Sequence, residues 1–174
     1  MELDARPYTH DTAAPLVVAD WQIDAEPVVA ACRQRLAPGS ALRVVVPAWL
    51  HGVDWAGDPY ASVPCARLQL ERIVRLCRDA GLRVIDAEVG DADPMNAISD
   101  ALDHRPADQI LLFAQGRHAA AGYPLSVARR AERLTGLAVH SFTVPSTSQP
   151  PRRRRFAAGH CERTQQPQLA GAGR

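Results

Sequence analysis

The run Arg83-Val-Ile-Asp-Ala-Glu-Val-Gly90-Asp91-Ala-Asp93-Pro94 constrains the fold more than any other stretch, because an alternating strand pattern stops at a glycine and restarts as a capped helix. Glycine takes backbone angles that bulky residues resist. An aspartate accepts from the first free amides of a helix, and proline fits the first helical position, where no amide donor is needed. The stretch therefore reads as a strand-to-helix turn of the kind that forms ligand crevices in open parallel sheets. A short helix from Pro94 to His104 should follow, with Ile98, Ala101 and Leu102 inward.

The same alternation recurs along the chain. Leu16-Val-Val-Ala19 reads as a buried strand ending at Asp20, and a helix from about Asp24 to Leu36 stops at the Ala-Pro-Gly-Ser sequence of 37–40. Leu42 to Val46, followed by Pro47, makes a second strand rich in β-branched residues. A helix from about Pro64 to Ala80 buries a stripe of Ala66, Leu70, Ile73, Val74 and Cys77, and Gly81 supplies its stop. Strand three, Leu82 to Val89, carries Arg83, Asp86 and Glu88 and suits a sheet edge. Strand four, Gln109 to Ala114, is almost wholly apolar and should be central. A last helix from about Pro124 to Thr135 buries Val127, Ala131 and Leu134, Gly136 ends it, and strand five runs from Leu137 to Val144. Between strand two and the second helix, Ala48 to Ser62 has no period of 2 or 3.6 and reads as a loop of functional length.

Parallel strands need crossover connections, and those crossovers are right-handed, so this β-α alternation predicts a doubly wound three-layer α/β/α domain. Residues 1–13 are unpatterned and read as a flexible N-terminus, 14–144 as the domain, and 145–174 as a disordered tail rich in Arg, Pro and Gln. A chain of 174 residues with 47% hydrophobic content is long enough for one core. The tail holds six Arg against one Glu, which leaves 14 Arg against 18 acids in the rest, so a mildly acidic body carries a basic end. Cys32, Cys65, Cys77 and Cys161 show no metal or redox spacing and read as buried thiols of a reducing cytosol. No apolar run is long enough to span a bilayer, and the acidic start lacks the features of a secretory signal, so a cytoplasmic protein is expected.

Asp20 ends an inner strand, where it can meet a ligand or cap the following helix. Gly90, Asp91 and Asp93 can face a ribose or simply make the turn and cap. Arg117 and His118, just past strand four, can meet phosphate oxygens or sit in a solvated loop. His51 and Asp54, beside Trp55, suggest a metal or acid/base pair only weakly, and Trp49 and Trp55 suit a lid or packing role better. His140 reads as an edge-strand residue at an interface or surface. The Arg152 to Arg155 run, with Phe156 beside it, offers nonspecific attraction to nucleic acid or none at all. There is no Ser-His-Asp, HExxH or P-loop arrangement, hence no case for nucleophilic or metal catalysis.

Four features together resemble the universal stress protein family over roughly residues 15–144. They are the strand ending Val17-Val-Ala-Asp20, the long loop after strand two, the turn Val89-Gly-Asp-Ala-Asp-Pro94, and Gln115-Gly116-Arg117 before the Pro-Leu-Ser126-Val-Ala128 helix start. The resemblance implies a five-stranded parallel sheet of order 3-2-1-4-5, an adenine nucleotide such as ATP or AMP bound at the strand ends, and a homodimer joined through strand five. In such relatives Asp20 would correspond to the acid near the adenine or ribose, Gly116 to the first phosphate-loop glycine, and Ser126 to the closing hydroxyl. The candidate ligand-lining set is thus Asp20, Pro47, Gly90, Asp91, Gly116, Arg117 and Ser126. This chain departs from the family pattern at Leu125, which stands where a glycine is expected, and Gly122 is the only glycine between Arg117 and Leu125. Backbone amides must approach a phosphate closely, which a branched side chain hinders. The resemblance thus implies a stress-response sensor, and the departures favour its alternative, a scaffold of the same fold that binds no nucleotide.

Overall fold

The computed structural model describes residues 13–50, 60–116 and 126–144. Over these the chain alternates β1 (Leu16–Ala19), α1 (Ala25–Arg35), β2 (Ala41–Pro47), α2 (Val63–Asp79), β3 (Arg83–Gly90), α3 (Pro94–His104), β4 (Gln109–Ala114), α4 (Val127–Thr135) and β5 (Ala138–Thr143). The five strands form one parallel sheet in the order β3-β2-β1-β4-β5. The doubly wound three-layer fold and its 3-2-1-4-5 order are therefore as expected, with the charged β3 at one edge and the apolar β1, β2 and β4 inside. The tail from 145 and the expected N-terminal segment, apart from Ala13, lie outside the described residues.

Period-two alternation sends successive strand residues to opposite faces, and each face meets two helices. Val17 and Ala19 of β1, Leu42, Val44 and Val46 of β2, and Leu111 and Phe113 of β4 form one core with Val28 and Cys32 of α1 and Ala66, Ile73 and Cys77 of α2. Leu16, Val18, Val45, Ile110 and Leu112 form the other with Ala97, Ile98 and Ala101 of α3 and Val127, Ala128 and Ala131 of α4. On the first face Phe142 of β5 stacks on Phe113, its register partner, at a centroid distance of 4.5 Å, and the Arg35 guanidinium lies 5.1 Å from the Phe142 ring. Burial pushes the Cys32 thiol up to about 12, with neighbouring Cys77 adding to the shift, and pushes Cys77 up to about 11. Both thiols are structural and unreactive at neutral pH.

The second face contains a charged side chain. A bulge in β3 between the partners of Leu42 and Arg43 sets Asp86 opposite Arg43. Arg43 is 1% exposed, and its Nε donates to Asp86 Oδ2 at 3.3 Å while its two terminal nitrogens donate to the carbonyls of Ala101 and Arg105. One guanidinium thereby satisfies the Arg105 carbonyl just past the end of α3 and adds a second donor to the Ala101 carbonyl, which also accepts from the Arg105 amide at 3.3 Å, and a cation suits that end of the helix dipole.

Two expectations are corrected. Leu134 is 60% exposed instead of buried, because it lies on the flank of α4 toward α3 and not over the sheet. Gly90 is the last residue of β3, and its backbone is not in the left-handed region. A Cβ there would stand 2.5 Å from Ala97 Cβ and 2.9 Å from Val45 Cγ2, so glycine is required by the close seating of α3 on the sheet.

Candidate functional site

The order of strands reverses between β1 and β4, and in open α/β sheets ligands enter at the carboxyl ends of strands beside such a reversal. Asp20 stands there. Its amide donates to Phe113 O at 2.9 Å, extending the β1–β4 pairing by one residue, and the side chain is 2% exposed. The carboxylate does not cap α1, whose N-cap is Asp24; its Oδ1 accepts from the Gln22 amide at 3.0 Å and makes a local turn instead.

Polar side chains stitch the neighbouring strand ends together. Gln115, just past β4, donates through Nε2 to Gln22 O at 3.2 Å and Gln22 Oε1 at 3.4 Å, spanning the gap above the reversal. Trp21 Nε1 donates to Trp49 O at 2.7 Å, joining the segment after β1 to the one after β2. Ser62 Oγ donates to Ala48 O, Gln69 Nε2 donates to Ile23 O at 2.7 Å, and the Ala48 amide donates to Gly90 O at 3.1 Å. Sequence reasoning gave Trp49 a lid or packing role but overlooked Trp21, Gln22, Ser62, Gln69 and Gln115. Their partners are mostly backbone carbonyls far along the chain, and no spacing rule marks those. The available signal was a cluster of amide and indole side chains just after two adjacent strand ends.

Pro47 and Gly90 are register partners at the ends of β2 and β3. Asp91 Oδ1 accepts from the Asp93 amide at 2.7 Å and from Asn96 Nδ2 at 3.5 Å, and Asp93 Oδ1 accepts from the Met95 amide at 2.8 Å. These two acids thus build the turn and cap α3. Gly116 is exposed with φ +49°, a conformation that favours glycine, and no atom crowds the position of its missing Cβ. Ser126 is buried and is the N-cap of α4, its Oγ accepting from the Arg129 amide at 3.3 Å. Five of the seven therefore share the carboxyl-end rim in two groups, Asp20 and Gly116 at the reversal and Pro47, Gly90 and Asp91 toward the β3 edge, and Ser126 opens α4. Arg117, His118, Gly122, Leu125, His51, Asp54 and Trp55 lie outside the described residues, as does the Arg152 to Arg155 run. Among the described residues no group of three or more His, Cys, Asp or Glu could hold a metal ion.

Chemically, the reversal offers one buried carboxylate acceptor and two primary amides able to donate and accept. That combination suits a neutral polar edge, such as a base or a ribose, better than a bare anion. Fold and rim together define an open, doubly wound α/β domain with a polar strand-end rim. Among solved structures the chain is similar to a universal stress protein from Archaeoglobus fulgidus, at 20% identity and a TM-score of 0.48, over 73% of this chain and 96% of that one. Comparison with protein-family models and with curated proteins gives no match. Among the described residues no helix is long and apolar enough to cross a membrane.

Proposed function

We propose that this domain binds an adenine nucleotide, ATP or AMP, at the strand-end crevice and acts as a universal-stress-protein-like regulatory sensor in the stress response, not as a catalyst. The observation that carries this reading is the buried Asp20 at the end of β1, beside the reversal of strand order. A carboxylate there accepts from a ribose hydroxyl or an exocyclic amine, and its neighbours Gln22 and Gln115 add donors and acceptors for a base edge. The left-handed turn at Gly116 and the N-terminus of α4 at Ser126 would receive the phosphate end. A cytoplasmic setting belongs to the same reading and fits the free thiols of Cys32, Cys65 and Cys77.

The test is calorimetric titration of the full chain with ATP, ADP, AMP and cyclic AMP, beside an Asp20→Asn variant whose fold is checked by circular dichroism. Saturable binding of at least one nucleotide, weakened roughly tenfold or more in the variant, is the expected result. Absence of binding by all four overturns the reading.

A second reading, a homodimeric interaction module without a nucleotide, is favoured by the Gln115–Gln22 bonds, which already span the crevice. The dimer would form through the open edge of β5, where Leu137, Val139, His140 and Phe142 are each only partly buried. The Val144 amide bonds back to Ala114 O, so by alternation the amide of Ser141 points to the open edge. Ser141→Pro should then remove this pairing and lower the sedimentation mass while β5 stays on β4. An unchanged dimer would exclude strand five as the interface.

A further inference from the structure

We propose that the outer face of α3 and α4 is an isologous interface between two copies of this chain, separate from the open edge of β5 and from the strand-end crevice. The starting point is the exposed Leu134, which helical periodicity assigns to the core. It sits in an open groove of about 370 Å³ lined by Met95 of α3 and by Arg130, Arg133 and Leu134 of α4. Met95 is buried, while Leu134, Arg130 and Arg133 are exposed, so apolar surface and two arginines share one groove. Among the described residues neither Arg130 nor Arg133 has an ion-pair partner.

The outward surface of α3 has the opposite sign. Asp100 and Asp103 are both exposed, three residues apart on one side of the helix, and neither has an ion-pair partner among the described residues. One molecular face thus carries an acidic stripe, an apolar groove and a basic stripe side by side. Both helices are crossovers between parallel strands, so they run in the same direction.

In a two-fold interface residue i meets residue j and j meets i. A two-fold axis lying in this face along the helix direction places the α3 of each copy over the α4 of the other. Asp100 and Asp103 then meet Arg130 and Arg133 twice, and the two Leu134 grooves face each other across the axis. The same face offered to itself with the axis across the helices would set acid on acid and base on base, which fixes the orientation. Charge complementarity therefore selects a second copy as the occupant, the apolar groove supplies the dry centre, and the charged stripes supply the rim.

The test is sedimentation velocity of the full chain over a concentration series at low and high salt, in the wild type and in a Ser141→Pro background that removes pairing through β5. The expected result is self-association in both backgrounds, weaker at high salt. Arg130→Glu with Arg133→Glu, and separately Asp100→Arg with Asp103→Arg, should each weaken it roughly a hundredfold or more. An equal mixture of the two double variants should associate again, because the acidic α4 of one then meets the basic α3 of the other. Leu134→Asp, which leaves both stripes in place, should also abolish it. Asp100, Asp103, Arg130, Arg133 and Leu134 are all exposed and Ser141 is half-buried, and thermal unfolding of each variant verifies that it is folded. A Ser141→Pro chain that stays monomeric at every concentration, double variants that associate like the wild type, or a mixture that does not recover each overturns the proposal.

Discussion

The two faces of the sheet carry the same number of described helices and are built on different rules. Under α1 and α2 the packing is bulky and wholly apolar in its centre, with Val17, Leu42, Val44, Ile73, Leu111 and Phe113 interdigitating. Under α3 and α4 the helix residues at the sheet are mostly small, Ala97, Ala101, Ala128 and Ala131, so these helices sit close, Gly90 makes room for one of them, and Arg43 bonds that helix's last carbonyls. A face packed by volume can absorb a change of shape. A face built on close approach and a buried guanidinium depends on particular atoms.

The largest test of that contrast is Gly90→Val. The new side chain has no space beside Ala97 and Val45, and a loss of about 3 kcal/mol is expected from denaturant unfolding. A loss below about 1 kcal/mol would mean that α3 can lift off the sheet cheaply, and the distinction between the faces would fail. Next, Arg43→Leu removes the donors to Ala101 and Arg105 and leaves Asp86 without its partner, for an expected loss of about 2 kcal/mol. Ile73→Val is its counterpart on the other face, with about 1 kcal/mol expected. Equal losses for the two would remove the special standing of the arginine. Asp93→Ala strips the cap from α3 and should lower stability by about 1 kcal/mol, with backbone amide exchange quickening first at Met95.

The smallest effect belongs to the surface of the volume-packed face. Arg72, by its hydrogen bond and charge, holds the Glu26 carboxyl below the usual range. A carboxyl whose pKa is depressed on folding contributes stability above its unfolded pKa, and the contribution disappears as pH falls through the folded value. Both side chains are about half exposed, so screening limits Glu26→Gln to about 0.3 kcal/mol at neutral pH. The difference between wild type and variant should vanish in acid, and a difference that persisted below the carboxylate range would assign it to something other than the ion pair.

The regular parts of this fold were legible because local chemistry and long-range packing agree there. β1, α3 and β4 begin and end where the residues predict, since Asp93 and Pro94 start α3 and a continuous apolar run defines β4. What could not be read depends on what lies opposite a residue. Periodicity put Leu134 on an apolar side of α4 without saying whether the sheet or a groove would face it. Gly90 read as a turn residue, and its true requirement is the distance to Ala97, which no local rule contains. No local pattern singles out Arg43, because its partners lie 43 to 62 residues away. The candidate site divides likewise: Asp20 and the Gly90 turn were visible as strand-end residues, while the amides and indoles that link the strand ends were not.

The bond from Trp21 to the Trp49 carbonyl also makes the crevice self-reporting. Two of the three tryptophans of the chain meet where the segments after β1 and β2 come together, and indole emission responds to the polarity and hydrogen bonding around its ring nitrogen. Intrinsic fluorescence of the unlabelled protein is therefore weighted toward the rim of the candidate site. Occupation or opening of that rim would register as a change in emission colour, before any partner or reaction is identified.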